Sequence, residues 1–187
     1  MDKRDILLEI LNKYKSVYID EVETCNKFIS FVEDNPRCFE NDLESGHVTG
    51  SSLVVDENIE FTLLTHHAKI NKWLQFGGHS DGSSDVIQTG FREAQEESGL
   101  TKLRFIPGHE EVIDIDIHEI PQKGSSPLHY HYDVRIILQA DINEPFSISS
   151  ESKDLKWVKL EDVFAYNSQP SFLRLINKAM KFRSISK

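Results

Sequence analysis

Cysteine is scarce in this chain: Cys25 and Cys38 are the only two among 187 residues. They form no C-x-x-C pair, and two thiols in a chain of this size give no disulfide framework. Long apolar runs are also missing; nothing approaches the roughly 20 consecutive apolar residues that span a bilayer. The first residues, MDKRDILLEI, lack an uninterrupted apolar core and a small-residue cleavage site. No secretory signal is therefore expected, and the expected location is cytoplasmic. Positive charge is in deficit, with 21 Lys plus Arg against 31 Asp plus Glu and a formal net charge of -10. Such a surface repels a nucleic-acid backbone, which argues against a nucleic-acid polymer as partner. Neither internal repeats nor low-complexity segments are present. One domain with a sizeable core is the simplest reading of this length.

What is present is acid at a telling spacing. Glu93, Glu96 and Glu97 fall at i, i+3 and i+4 within REAQEESGL, an arc of roughly 100° on a helix. Like charges so placed weaken a helix by a few tenths of a kcal/mol per pair. An acidic helix face is commonly no more than solvated surface. Three carboxylates turned one way also match the oxygen ligands that a hard divalent cation takes. Bound cations would invert the local potential and let phosphates dock on so negative a molecule.

Around this block, residues 2–33 read as a pair of helices. Leu7, Ile10, Leu11 and Tyr14, then Phe28, Ile29 and Val32, recur at helical spacing. Asp20 with Glu23 marks a start, and Asn35-Pro36 a stop. From His47 the texture is of short strands: GHVTGSSLVVD, EFTLLTHH and KWLQFGG, then 104–107, 111–118, 128–140 and 153–160. The acidic helix begins with cap chemistry from Ser83, Ser84 or Asp85 and ends at Gly99, with Ile87, Phe91 and Ala94 on the side away from the glutamates. A short helix at 161–166 and an amphipathic one at 171–182 close the chain. Strands and helices without regular βαβ order indicate a layered mixed α/β fold.

Alternation in HYHYDVRIIL sends His129, His131, Asp133 and Arg135 to one face and Tyr130, Tyr132, Val134, Ile136 and Leu138 to the other. The second set reads as core. The first offers hydrogen bonds and positive charge to a phosphate or sugar. His-x-His-x-Asp is also a zinc-ligand pattern, but substrate contact is the preferred reading, with His67 and His79 as further candidates. Trp73 is placed to stack on a base or to fill a half-buried core position.

The whole spacing resembles the box of the Nudix hydrolase superfamily, the MutT-like enzymes: Gly, five residues, Glu, seven residues, then Arg-Glu-aliphatic-any-Glu-Glu-any-Gly-aliphatic. Gly78, Arg92, Glu93, Glu96, Glu97, Gly99 and Leu100 match, Ala94 fits loosely, and Ser84 replaces the first Glu. Six fixed letters at frequencies of about 5–7% each coincide by chance on the order of once in ten million placements. The resemblance implies a Nudix fold, a mixed sheet between helices, over residues 45–187, with residues 1–44 a helical extension packed on it and available for a homodimer contact. It implies Mg2+ or Mn2+ held by Glu93, Glu96, Glu97 and the carbonyl at Gly78. Glu151, six residues before Trp157, would complete the set, with Asp154 as competitor. Glu97, then Glu93, would be the base, and Arg92 would steady the carboxylates, through Asp81, Asp85 or Glu96 in place of the missing Glu. The implied reaction is water attack at phosphorus in a nucleoside diphosphate linked to another moiety. The second expectation is a catalytically impaired nucleotide-binding or sensor protein.

Overall fold

All eleven residues of β1 (Gly46–Asp56) are buried, as only a strand covered on both faces can be. The computed structural model, which describes residues 2–122 and 127–184, sets β1 at the centre of an eight-stranded mixed sheet. β7 (His129–Ala140) runs parallel to it in unbroken register, from Gly46 opposite Tyr130 to Asp56 opposite Ala140. The other edge of β1 is shared. β2 (Phe61–His67) pairs antiparallel at Val54 and Val55, and β4 (Phe76–His79) covers Thr49 to Ser52. β7 carries β6 (Asp114–Ile120) and the two-residue β5 (Arg104–Phe105) on its outer side. β2 also pairs with β3 (Lys72–Leu74) and β8 (Ser152–Lys159).

The run KWLQFGG, expected as one strand, is therefore two. β3 extends β2, whereas β4 fills the half of the β1 edge that β2 does not reach. That division brings Gly77, Gly78 and His79 against β1.

Alternation along β1 gives its faces different neighbours. On one side Val48 joins Val134 and Ile115 beneath Leu7 and Leu11 of α1 (Asp5–Lys13), Phe28 and Val32 of α2 (Ile19–Asp34), and Val86 of α3 (Val86–Ser98). On the other, Leu53, Val55 and Ile137 meet Phe172, Leu175 and Ile176 of α4 (Pro170–Lys181). The sheet thus lies between helices, the Nudix arrangement. α3 sits almost on the β1 backbone. A Cβ at Gly50 would lie 2.5 Å from the Val86 carbonyl oxygen, and one at Gly90 2.9 Å from that of Ser51. No helix among the described residues is long and apolar enough to cross a membrane.

Candidate active site

α3 starts where Asp85 accepts a hydrogen bond from the Gln88 N–H at 3.0 Å and ends at Gly99 in the left-handed region, φ 70°. Asp85, rather than Ser83 or Ser84, supplies the N-cap. The helix buries Val86, Thr89, Gly90 and Ala94 against the sheet, and on its last turn Glu97 as well. Its carboxylates do not all face one way. Glu97 is 7% exposed and accepts the Gly77 N–H at 3.0 Å. Burial pushes its carboxyl up to about 7, the Gly77 N–H opposes this, and the charges of Glu93 and Glu151 add to it. Glu93 lies against Gly78, where a Cβ would stand 2.5–2.7 Å from its carboxylate atoms. Burial raises Glu93 too, against the pull of Arg92. Glu96 swings outward, its side chain 60% exposed.

Arg92 explains the spread. With Ser84 where a glutamate was expected, its guanidinium takes Glu93 at 2.7 Å, Glu96 at 2.9 Å and the His79 carbonyl at 3.1 Å. Neither of the aspartates considered as substitutes does this: Asp85 caps the helix, and Asp81 accepts from Asn41 at 3.0 Å. Glu151 is exposed, its backbone held by the Ala68 N–H at 2.8 Å, and its charge is felt by both Glu93 and Glu97. The competing Asp154 turns to the Leu155 N–H at 2.9 Å. Carboxylate oxygens of Glu93 and Glu97 beside a backbone with no side chain at Gly78 are a donor set that suits a hard divalent ion.

The polar face of β7 forms as its alternation requires, but it is not open. Arg135, expected as a substrate contact, is 4% exposed. Its guanidinium binds Asp133 at 2.9 Å, Asp116 at 2.7 Å and Asp114 at 3.2 Å, and donates to the Ser171 carbonyl at 3.4 Å. The reason is α4, which roofs that end of the strand. Asp133 is likewise consumed, accepting from Thr49 at 2.9 Å and Ser51 at 2.7 Å. The zinc pattern His-x-His-x-Asp therefore loses its aspartate.

In its place the sheet gathers other histidines. His47 of β1 stands in register with His131, His118 of β6 opposite His131, and His79 of β4 opposite Thr49. Ring centroids of His47 lie 4.8 Å from His79, 4.8 Å from His131 and 5.1 Å from His129. Burial lowers His47 to about 4 and His131 to about 2, with neighbouring imidazoles adding to the effect. His129 bonds the Pro127 carbonyl at 2.9 Å. His67 sits apart, opposite Lys72 and Ser152, and accepts the Lys69 N–H at 3.2 Å. Trp73 stacks on His66, centroids 4.9 Å apart. Sequence reading overlooked His47 and His118. The period-two polar series His47, Thr49, Ser51 was a signal, but only strand pairing reveals what it faces.

No family model matches this chain. The asymmetrical bis(5'-nucleosyl)-tetraphosphatase of Caenorhabditis elegans is 28% identical over 126 residues, 66% of this chain and 85% of that protein. Among solved structures, a C. elegans Ap4A hydrolase binary complex aligns with TM-score 0.57 at 18% identity, over 73% of this chain and 97% of that one. A NUDIX-family hydrolase from Clostridium perfringens aligns with TM-score 0.50 at 26% identity over the same shares, 73% and 97%.

Proposed function

This chain belongs to the Nudix hydrolase superfamily and is a pyrophosphohydrolase, and from that premise we propose that it cleaves the phosphoanhydride of a nucleoside diphosphate linked to another moiety, by water attack at phosphorus. Dinucleoside polyphosphates are the first compounds to test, because a relative is named for that activity. The observation that carries the reading is the pairing of a buried Glu97, held by the Gly77 N–H, with a Glu93 lodged where Gly78 has no side chain.

Each residue then has a task. Glu93, Glu97, the Gly78 carbonyl and the exposed Glu96 and Glu151 would hold Mg2+ or Mn2+. Such ions neutralise bridging phosphates and lower the pKa of an attacking water. Glu97 would take the proton of an attacking water, its basicity raised by burial, and the Gly77 N–H keeps the carboxylate aimed. Arg92 holds Glu93 and Glu96 a turn apart and anchors both to the His79 carbonyl. His79 and His129 remain the candidates for contact with the distal part of the substrate. Residues 1–44 act as a helical extension of the hydrolase domain, with homodimer contact open to them.

Ser84 favours a second reading, a nucleotide-binding or sensor protein with little turnover. Against it, Arg92 has regained acidic partners and Glu93 and Glu97 stay at β4 in spite of mutual repulsion. The substitution Glu97→Gln decides between them. An amide oxygen still accepts the Gly77 N–H, so the urea midpoint should hold, while hydrolysis in Mg2+ or Mn2+ falls about 10²–10⁴-fold. A variant as fast as the parent removes Glu97 from the mechanism, and nucleotide binding without hydrolysis by the parent supports the sensor.

A further inference from the structure

We propose that His47, His79 and His131 form a second metal site, a tris-imidazole centre for Zn2+ or a similar transition ion, distinct from the glutamates of α3. Among the described residues, this trio has ligand atoms that all lie within 4.8 Å of one another. Three different strands supply them: β1, β4 and β7. His47 is 2% exposed, and neither of its ring nitrogens has a hydrogen-bonding partner in the protein. The His131 Nε2 is buried and unpartnered as well. A buried imidazole left without partners is strongly unfavourable, and packing further imidazoles around it supplies no bond. A cation accepting lone pairs from all three resolves the deficit at one stroke, and burial already favours the neutral rings that ligate metals.

The geometry is close to what such an ion needs. Zn–N bonds of about 2.0–2.1 Å in a tetrahedral set place ligand nitrogens roughly 3.3 Å apart, so imidazoles now within 4.8 Å close on the ion by side-chain rotation alone. The backbone positions are already fixed by strand pairing, with His47 opposite His131 and Thr49 opposite His79. His118 of β6 borders the trio, its ring centroid 5.3 Å from that of His131 and its Nδ1 3.4 Å from an Asp116 oxygen. Imidazole nitrogen selects zinc and its neighbours, whereas the carboxylates select magnesium or manganese. β4 separates the two sets. A side chain at Gly78 would point at Glu93, and His79, next in the strand, points to the opposite face. Three ligands also leave a coordination position open to water or a phosphate oxygen.

The test uses the full chain, stripped with chelator and titrated with Zn2+ against a chromophoric competitor in excess Mg2+. One tightly held Zn2+ per chain is expected in the parent and in the Glu93→Gln/Glu97→Gln double variant. Affinity should fall about a hundredfold or more in His47→Ala, His131→Ala and His79→Ala. Of these, His79→Ala removes the ligand from the short strand β4 and guards against misfolding of the buried pair, with circular dichroism checking each variant. Zinc anomalous scattering from a soaked crystal should place the ion among the three rings. Absence of zinc binding in the parent, affinity unchanged in the histidine variants, or affinity lost with the glutamates instead would each overturn the proposal.

Discussion

At Gly78 an added methyl group has nowhere to go but onto the Glu93 carboxylate, 2.5–2.7 Å away. Gly78→Ala should therefore displace that carboxylate by about an ångström and lower kcat roughly 10²-fold, with little change in the urea midpoint. Steady-state kinetics beside a denaturation curve check this, and an unaltered kcat would release Glu93 from its assigned place. That Gly78, Arg92, Glu93 and Glu97 come together was legible in the sequence, because helical spacing and a fixed offset carry their geometry. Glu96 was read less well. Spacing puts it on the same arc, but the arc does not reveal that Arg92, deprived of a partner at Ser84, draws it outward. Arg135 was misread for a related reason: alternation tells which face a strand residue takes, not what covers that face.

Between elements, the charges around Arg135 act as a clasp. Asp114 and Asp116 of β6, Asp133 of β7 and Arg174 of α4 meet around it. Burial raises Asp114, and its cationic neighbours oppose that. Arg135→Met would strand three carboxylates with too few counter-charges and should cost about 3–5 kcal/mol, seen as a lower urea midpoint at constant m value. Arg135→Lys should recover part, keeping the charge but losing the planar fork. Were stability unchanged and KM raised, the arginine would be a substrate contact after all. Most elements were anticipated to within a few residues. The division of KWLQFGG into β3 and β4 was not, because the break is set by where β2 stops along β1, a fact of pairing rather than composition.

Over the whole molecule, acid stability depends on the junction of α1, α2, β6 and α4. Glu21 is fully buried, and its carboxylate accepts from Lys178 at 2.5 and 2.6 Å, from Tyr14 at 2.5 Å and from Ser16. Arg174 and Asp114 face the same junction, on α4 and β6. Desolvation raises the pKa of Glu21, but these bonds prevail and lower it from 4.5 to about 2. The native state thus binds this proton more weakly than the unfolded chain does. The resulting stability, on the order of 3 kcal/mol, is complete above pH 4.5 and vanishes as pH falls through about 2. Urea midpoints of the parent and Glu21→Gln should differ by a constant amount near neutrality and converge toward pH 2. Parallel curves across that range would place the acid sensitivity elsewhere.

The order of residues alone was enough to mark the spacing from Gly78 to Leu100, the clustered acids of α3 and the helix and strand periods, since each rests on spacing along one short stretch of chain. Which histidines meet, which arginine is buried and where β4 docks were decided by the tertiary structure. Those outcomes follow from register between strands distant in the chain and from what α4 covers, neither of which is written in any local stretch of residues.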